Sequence, residues 1–256
     1  MSELTVDFDG PVATATVNRP DARNAMTMAM YDALADFCVR VDESAEVRVA
    51  VVRGAGGRAF VAGTDINHFR DFGGAQDGIS YERHLESVLG RLERVRVPTV
   101  AVIEGYATGG GLGMAAACDL RLCTPNAKFG LPIARTLGNC VSMPTYARLS
   151  HLIGPARTLH LIYTAGFVDA EEAVRIGLAA ELVPGADLET RLAELCTQVA
   201  GHAPLTMLAS KTALRRLRDH TLPPDEDLIS LCYGSDDFRE GVSAFLDKRP
   251  PQWHGR

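Results

Sequence analysis

Apolar and polar residues alternate with period two from Leu4 to Phe8 and again from Val12 to Val17, with Asp9-Gly10 between them. Successive side chains of a strand face opposite sides, and Asp-Gly favours a tight reversal, so the pattern predicts a β-hairpin. The period then changes. Met30, Leu34, Phe37 and Val41 recur at helical spacing behind Thr27, whose hydroxyl suits an N-cap. Val49 to Val52 is apolar without a polar face and predicts a strand covered on both sides. After a glycine-rich turn at Gly54 to Gly63, Gly73 to Gly78 reads as a loop. Leu85, Val88, Leu89, Leu92 and Val95 then predict an amphipathic helix that Pro98 ends. Thr99 to Ile103 reads as a second buried strand. A second glycine-rich turn, Gly105 to Gly113, leads through Met114 to Cys118 into a strand at Leu120 to Cys123.

From about Ser142 the pattern is mostly helical. Asp169 is placed to cap a short helix ending at Gly177, and Leu188, Leu192, Leu195 and Val199 mark another. Three more helical stretches follow, near 204–217, 224–233 and 235–247. Strands alternate with helices early and helices dominate late, which predicts an α/β core over 1–198 and a helical C-terminal part over 199–256. Repeated strand–strand–helix units fit the first half.

Composition narrows the picture. A chain of 256 residues, 46% of them hydrophobic, supports one sizeable core. A net charge of −6 argues against nucleic acid or an anionic membrane as partner. The six cysteines (Cys38, Cys118, Cys123, Cys140, Cys196 and Cys232) form no CxxC pair, and no two histidines stand at metal-ligand spacing. The expectation is a reduced, cytoplasmic setting without a metal, most thiols serving as small buried hydrophobes. The acidic, alternating N-terminus does not resemble a signal peptide, and no apolar run approaches the ~20 residues of a membrane span.

The turn Gly105-Tyr106-Ala107-Thr108-Gly109-Gly110-Gly111-Leu112-Gly113 carries the candidate chemistry. A dinucleotide fingerprint would need a third glycine where Met114 stands, and a P-loop would need a Gly-Lys-Ser/Thr that is absent. A plain packing turn is the bland reading. The chemical one is an oxyanion hole. Glycines let backbone come close to a ligand, and the first amides of a helix have no internal partner. Donors of this kind, aimed at a developing negative charge, contribute about 3 kcal/mol each.

Several motifs in order resemble the crotonase, or enoyl-CoA hydratase/isomerase, family. They are Asn18-Arg19-Pro20 with Asn24-Ala25, Ala59 to Ile66, Gly105 to Asp119, Asn126 to Gly130 with Leu137-Gly138, Ala170 to Gly177, and Glu240 to Arg249. The resemblance spans nearly the whole chain. It implies a spiral of ββα units with a C-terminal helical trimerisation segment, giving a homotrimer or a dimer of trimers. It also implies an acyl-CoA substrate whose thioester enolate is stabilised by the amides of Thr64 and Gly110, with coenzyme A entering as part of the substrate and no permanently bound cofactor. Carried over by position, the coenzyme would lie along Arg23, Ala25, Ala62, Asp65 and Ile66, with Phe245 and Lys248 near its adenine and phosphate end. Each has a plainer alternative: Phe245 as core, Lys248 as a solvated helix end, Asp65 as a cap.

The chain departs from a hydratase at the proton-moving groups. Hydratases of the family use two glutamates. One position is Gly113 here, and the other falls on Ile133 or Ala134; from Leu120 to Val168 there is no Asp or Glu. The remaining candidates are Ser142, where other members place a catalytic Asp, His68, and Arg135, which suits a substrate carboxylate. Asn139, Cys140 and Tyr146 lie in the same region. Three functions stay open: an enolate-forming isomerase or lyase, a decarboxylase or thioester hydrolase, and a non-catalytic acyl-CoA-binding accessory subunit. A nucleotide-binding α/β protein is a weaker fourth.

Overall fold

The computed structural model describes residues 3–69 and 75–219, together with Asp236, Glu240, Arg249, Gln252 and 254–256. The chain opens with the hairpin of β1 (Leu4–Asp9) and β2 (Val12–Val17), followed by α1 (Met28–Glu43). Strand β1 runs one residue further than the alternation predicts, so Gly10, at φ 52°, and Pro11 make the turn. The Thr27 hydroxyl accepts the Met30 amide at 3.3 Å, and Met30, Leu34, Phe37 and Val41 are buried.

Three strand–strand–helix units come next. They are β3 (Val49–Gly54), β4 (Ala59–Val61) and α2 (Ala75–Arg94), then β5 (Thr99–Ile103), β6 (Tyr106–Thr108) and α3 (Gly110–Ala117). The third is β7 (Leu120–Cys123), β8 (Lys128–Gly130) and α4 (Met143–Ile153). The first strand of each unit joins a six-stranded sheet of order β1-β2-β3-β5-β7-β10, and the second joins a four-stranded sheet, β4-β6-β8-β9. Helix α5 (Pro155–Thr164), β9 (Phe167–Asp169), α6 (Ala170–Arg175), β10 (Glu181–Leu182), α7 (Leu188–Ala200) and α8 (Pro204–Arg218) complete the described chain. The fold is the expected α/β spiral of ββα units.

Burial on both sheet faces explains the unbroken apolar strands. Ala50, Val52, Ala101 and Ile103 face the main core with α1 and α2. Val49, Val51, Val100, Val102 and Leu122 face the other way, onto Leu188, Leu192 and Cys196 of α7. Two polar anchors fix the middle. Buried Arg121 donates to the Ala115 and Cys118 carbonyls at the end of α3 and to Leu178, where a cation complements the helix dipole. Asp119 accepts from Thr99 and from Lys211 of α8 at 2.7 Å, tying strand to late helix.

Two expectations change. Helix α2 begins at Ala75, so most of the loop expected at Gly73 to Gly78 is its first turn; the packing of a 20-residue helix outweighs the local cost of Gly78. The division between 198 and 199 falls inside the last turn of α7. Of the helices expected near 224–233 and 235–247, the described residues hold only Asp236 and Glu240 in helical conformation. Cys38, Cys118, Cys123 and Cys196 are buried and Cys140 is exposed, while Cys232 lies outside the described residues. No helix among the described residues is long and apolar enough to cross a membrane.

Candidate active site

The site forms where β4 and β6 end. Met26 bridges Thr64 in parallel register: its amide donates to the Gly63 carbonyl and its own carbonyl accepts from Asp65. In that pairing the flanking groups are consumed, and the N–H of Thr64 itself faces the opposite side. Across from it, Gly109 at φ 56° turns β6 into α3, an angle that favours glycine. Gly110 is the first residue of that helix, so its amide has no intrahelical acceptor. Glycine at 111 lets the helix sit against β4, since a Cβ there would run into the Val61 carbonyl. Thr64 and Gly110 line one cavity of about 530 Å³.

Beneath these amides lies a hydroxyl cluster that the sequence reading misses. The Thr64 hydroxyl is 3.0 Å from the Tyr31 hydroxyl and 2.6 Å from that of Tyr81. Burial pushes the Tyr31 phenol well above its ordinary pKa and that of Tyr81 up to about 12, so both stay neutral hydrogen-bonding groups at physiological pH. A Cβ at Gly110 would come within 2.8 Å of the Tyr31 oxygen, so the tyrosine fills the space beside the turn.

Among the described lining residues one carboxylate reaches the cavity, that of Glu82 on α2. Burial pushes its carboxyl up to about 7; a bond from the Ser142 backbone opposes the rise and the charge of Glu86 adds to it. Glu82, Glu86 and Glu93 share one face of α2, at helical spacing. The other two are neutralised. Arg148 of α4, only 2% exposed, pairs with Glu86 at 2.6 Å and Glu93 at 3.1 Å, and Arg218 also binds Glu93. Burial alone would raise Glu93, yet Arg218 and Arg148 hold its carboxyl below the usual range. Among the described residues no ion pair engages Glu82.

Gly113 and Ile133 both line the cavity and bring no carboxylate to it; the resemblance puts the two hydratase glutamates at Gly113 and at Ile133 or Ala134. A Cβ at Gly113 would lie 3.3 Å from Leu89 and 3.5 Å from Thr145. Arg23, Ala62 and Ile66 line the cavity as well. Arg23 and Asn24 adopt positive φ (51° and 57°), a turn held by the buried Asn24 side chain, which donates to the Ala55 and Ala59 carbonyls. The Ala25 carbonyl accepts from Arg19 at 2.7 Å. The Asp65 side chain is committed to the Asn67 amide and to Arg19; these, in that order, hold its carboxyl below the usual range. It caps the short 3-10 turn Ile66–Phe69, as the plainer alternative holds.

The three candidates for proton transfer or substrate binding take other places. The Ser142 hydroxyl caps α4 by accepting the Thr145 amide and donates to Glu86 at 2.7 Å; Ser142 is not among the lining residues. Its backbone contact with Glu82 gives it an indirect link to the cavity. The His68 ring packs against Phe69 and Tyr81, with centroids 5.7 and 5.6 Å away. Arg135 is exposed and does not line the cavity. Phe245 and Lys248 lie outside the described residues. Among the described residues no group of three or more His, Cys, Asp or Glu side chains is arranged to hold a metal ion.

A ββα spiral with outward-facing amides at a glycine turn, opening on a cavity, defines an enzyme of the crotonase class. The comparisons agree with that geometry. The profile described as enoyl-CoA hydratase/isomerase matches residues 7–256, and this chain belongs to that family. It is similar to a short-chain-enoyl-CoA hydratase of Clostridium acetobutylicum, 31% identical across 97% of this chain and 96% of the relative. It is also similar to a 2,3-dehydroadipyl-CoA hydratase of Escherichia coli, 32% identical over the full length of both. A solved enoyl-CoA hydratase/carnithine racemase from Magnetospirillum magneticum superposes with a TM-score of 0.92 at 30% identity, covering 100% of this chain and 97% of that one. The chain is therefore an enzyme of this family that acts on acyl-CoA.

Proposed function

We propose that this enzyme works through a thioester enolate. The thioester carbonyl accepts hydrogen bonds from the Thr64 and Gly110 amides, and the coenzyme runs along Arg23, Ala25, Ala62, Ile66 and the backbone of Asp65. The carrying observation is that two amides with no partner in the local ladder or helix border the same cavity of about 530 Å³. Each such donor contributes about 3 kcal/mol once charge develops on the oxygen. The two-glutamate addition of water is not the reaction favoured, because Gly113 and Ile133 offer neither a base for water nor an acid for the α-carbon.

Infrared difference spectra of bound acyl-CoA carrying a ¹³C-labelled thioester carbonyl test the oxyanion hole. The expected result is a shift of the carbonyl band to lower frequency; an unshifted band sinks the reading. Turnover of crotonyl-CoA by pure protein tests the second statement, and rapid hydration would show that the missing glutamates do not matter. Release of CO₂ from a malonyl-type thioester, or of free CoA, would select decarboxylation or hydrolysis. Tight binding without turnover across the panel would select the accessory role.

A further inference from the structure

Glu82 brings a carboxylate from α2 to a cavity where the positions that the resemblance gives to the family's proton-moving groups bring none. It borders the cavity that Thr64 and Gly110 border, and Gly113 and Ile133 border it without a carboxylate. We propose that Glu82 is the catalytic acid and base of this enzyme, taking a proton from the α-carbon of the bound thioester and returning it. The proposal rests on the enolate reading above and adds the group that reading lacks.

In the forward leg the α C–H bond breaks and its electron pair moves into the thioester. Negative charge gathers on the oxygen between the two amides, and the proton forms an O–H bond on Glu82. The return leg breaks that O–H bond and protonates the α-carbon. In a substrate with its double bond one position further along, it protonates the γ-carbon instead. Atoms and electrons balance with one carboxylate and no cofactor, whereas hydration requires a second group to activate water.

Position and surroundings both support the role. The backbone of Ser142 favours the charged form of the Glu82 carboxyl, and Ser142 is itself fixed as the cap of α4 and by its hydroxyl bond to Glu86. Charges facing Glu82 come from several elements. Glu86 on its own helix is partnered by Arg148 of α4, and Tyr81 beside it is linked through Thr64 to Tyr31 of α1. His68 packs against Tyr81, and Arg23 lies on the cavity wall. None of these forms an ion pair with Glu82. A carboxyl raised toward neutrality by burial exchanges protons at physiological pH in both directions, as an acid–base catalyst must.

The experiment follows loss of α-protons by NMR from butyryl-CoA, longer saturated acyl-CoA and 3-butenoyl-CoA in D₂O, using the full chain across a pH range. Wild type is expected to exchange, with a rate that rises through an apparent pKa of about 7. Glu82→Gln should lower exchange by about 10²-fold or more and abolish that pH dependence, while calorimetric affinity for butyryl-CoA is unchanged. Glu82→Asp should recover part of the rate on a displaced profile. An E82Q protein as fast as wild type with the same profile overturns the assignment and leaves the enolate reading standing. Wild type that binds every thioester and exchanges none overturns both. Equal loss of binding and exchange in E82Q also overturns the proposal, because it marks a structural role. If E82Q does not fold, E82D decides: an altered pH profile supports the proposal and an unaltered one overturns it.

Discussion

Helix α2 carries carboxylates with two opposite fates. At its inner end Glu93 and Glu86 meet the buried Arg148, with Arg218 on Glu93, and their charge is balanced inside the protein. Three residues before Leu85, Glu82 looks into the cavity and meets no cation among the described residues. The same residue type, on the same face of one helix, is held as an anion at Glu93 and poised between protonation states at Glu82. The difference lies in what α4 brings across: a guanidinium opposite Glu86 and Glu93, and no ion-pair partner for Glu82 among the described residues. An acid's role here is set by its cross-helix partner, not by its own helix.

The largest expected effect is at the closed end. Arg148→Met leaves two partly buried carboxylates without their shared partner and should cost about 3–5 kcal/mol in urea unfolding. Adding Glu86→Gln and Glu93→Gln should recover most of that loss; a triple variant no more stable than the single one breaks the comparison. Next comes the Gly109–Gly110 turn, proposed above as half of an oxyanion hole, on the cavity that Glu82 also borders. Gly110→Pro, at a helix position where proline is tolerated, removes one amide and should lower turnover by about 10²–10³-fold with the fold retained. Combining it with Tyr31→Phe separates lost donation from crowding, since a Cβ there approaches the Tyr31 oxygen to 2.8 Å.

A third prediction concerns pH. The folded-state pKa of Glu82, about 7, lies above the 4.5 of an unperturbed glutamate, so the folded state binds the extra proton between those values. Its contribution is most favourable below pH 4.5, falls as pH rises toward 7, and is a constant penalty above that. Glu82→Gln should therefore stabilise the protein by about 1–2 kcal/mol at pH 8, the linkage value being reduced by partial solvation, and the gain should vanish in acid. Denaturant midpoints at several pH values check this. The smallest effect belongs to Ser142→Ala, which removes the cap of α4 and a Glu86 contact for about 1 kcal/mol. Exchange kinetics in that variant should fall by no more than a few-fold, because the hydroxyl reaches Glu86 and the Thr145 amide rather than Glu82.

Much of the fold was readable because it is written locally. The Thr27 cap, the period of Met30 to Val41, the two-sided apolar runs of β3 and β5, and the glycines at 109 and 111 each impose their structure from within a few residues. The turn at Gly109 belongs to this group, since a positive φ and a helix start are local properties. The catalytic surroundings do not. Glu82 reads in isolation as a polar position beside the apolar stripe of Leu85 and Leu89. Only the packing of α4, some sixty positions away in sequence, decides which acids Arg148 neutralises. A usable signal existed: the chain from Leu120 to Val168 lacks acids, while Glu82, Glu86 and Glu93 share a face. Ser142 stands where the resemblance places a catalytic Asp, and His68 and Arg135 stand close in sequence to the expected site; their capping, ring packing and exposure follow from tertiary arrangement.

The hydroxyl cluster around Thr64 carries a consequence of its own. Thr64 holds a single proton between two phenols, and at each contact either oxygen can be the donor. The chain Tyr31–Thr64–Tyr81 therefore has two senses, running inward or outward, that interconvert by rotating O–H bonds while every heavy atom stays in place. Reversing the sense reverses the hydroxyl dipole at Thr64, on the same cavity wall as Gly110. The heavy atoms at this corner of the cavity keep their places, yet the polarity it presents is reversible.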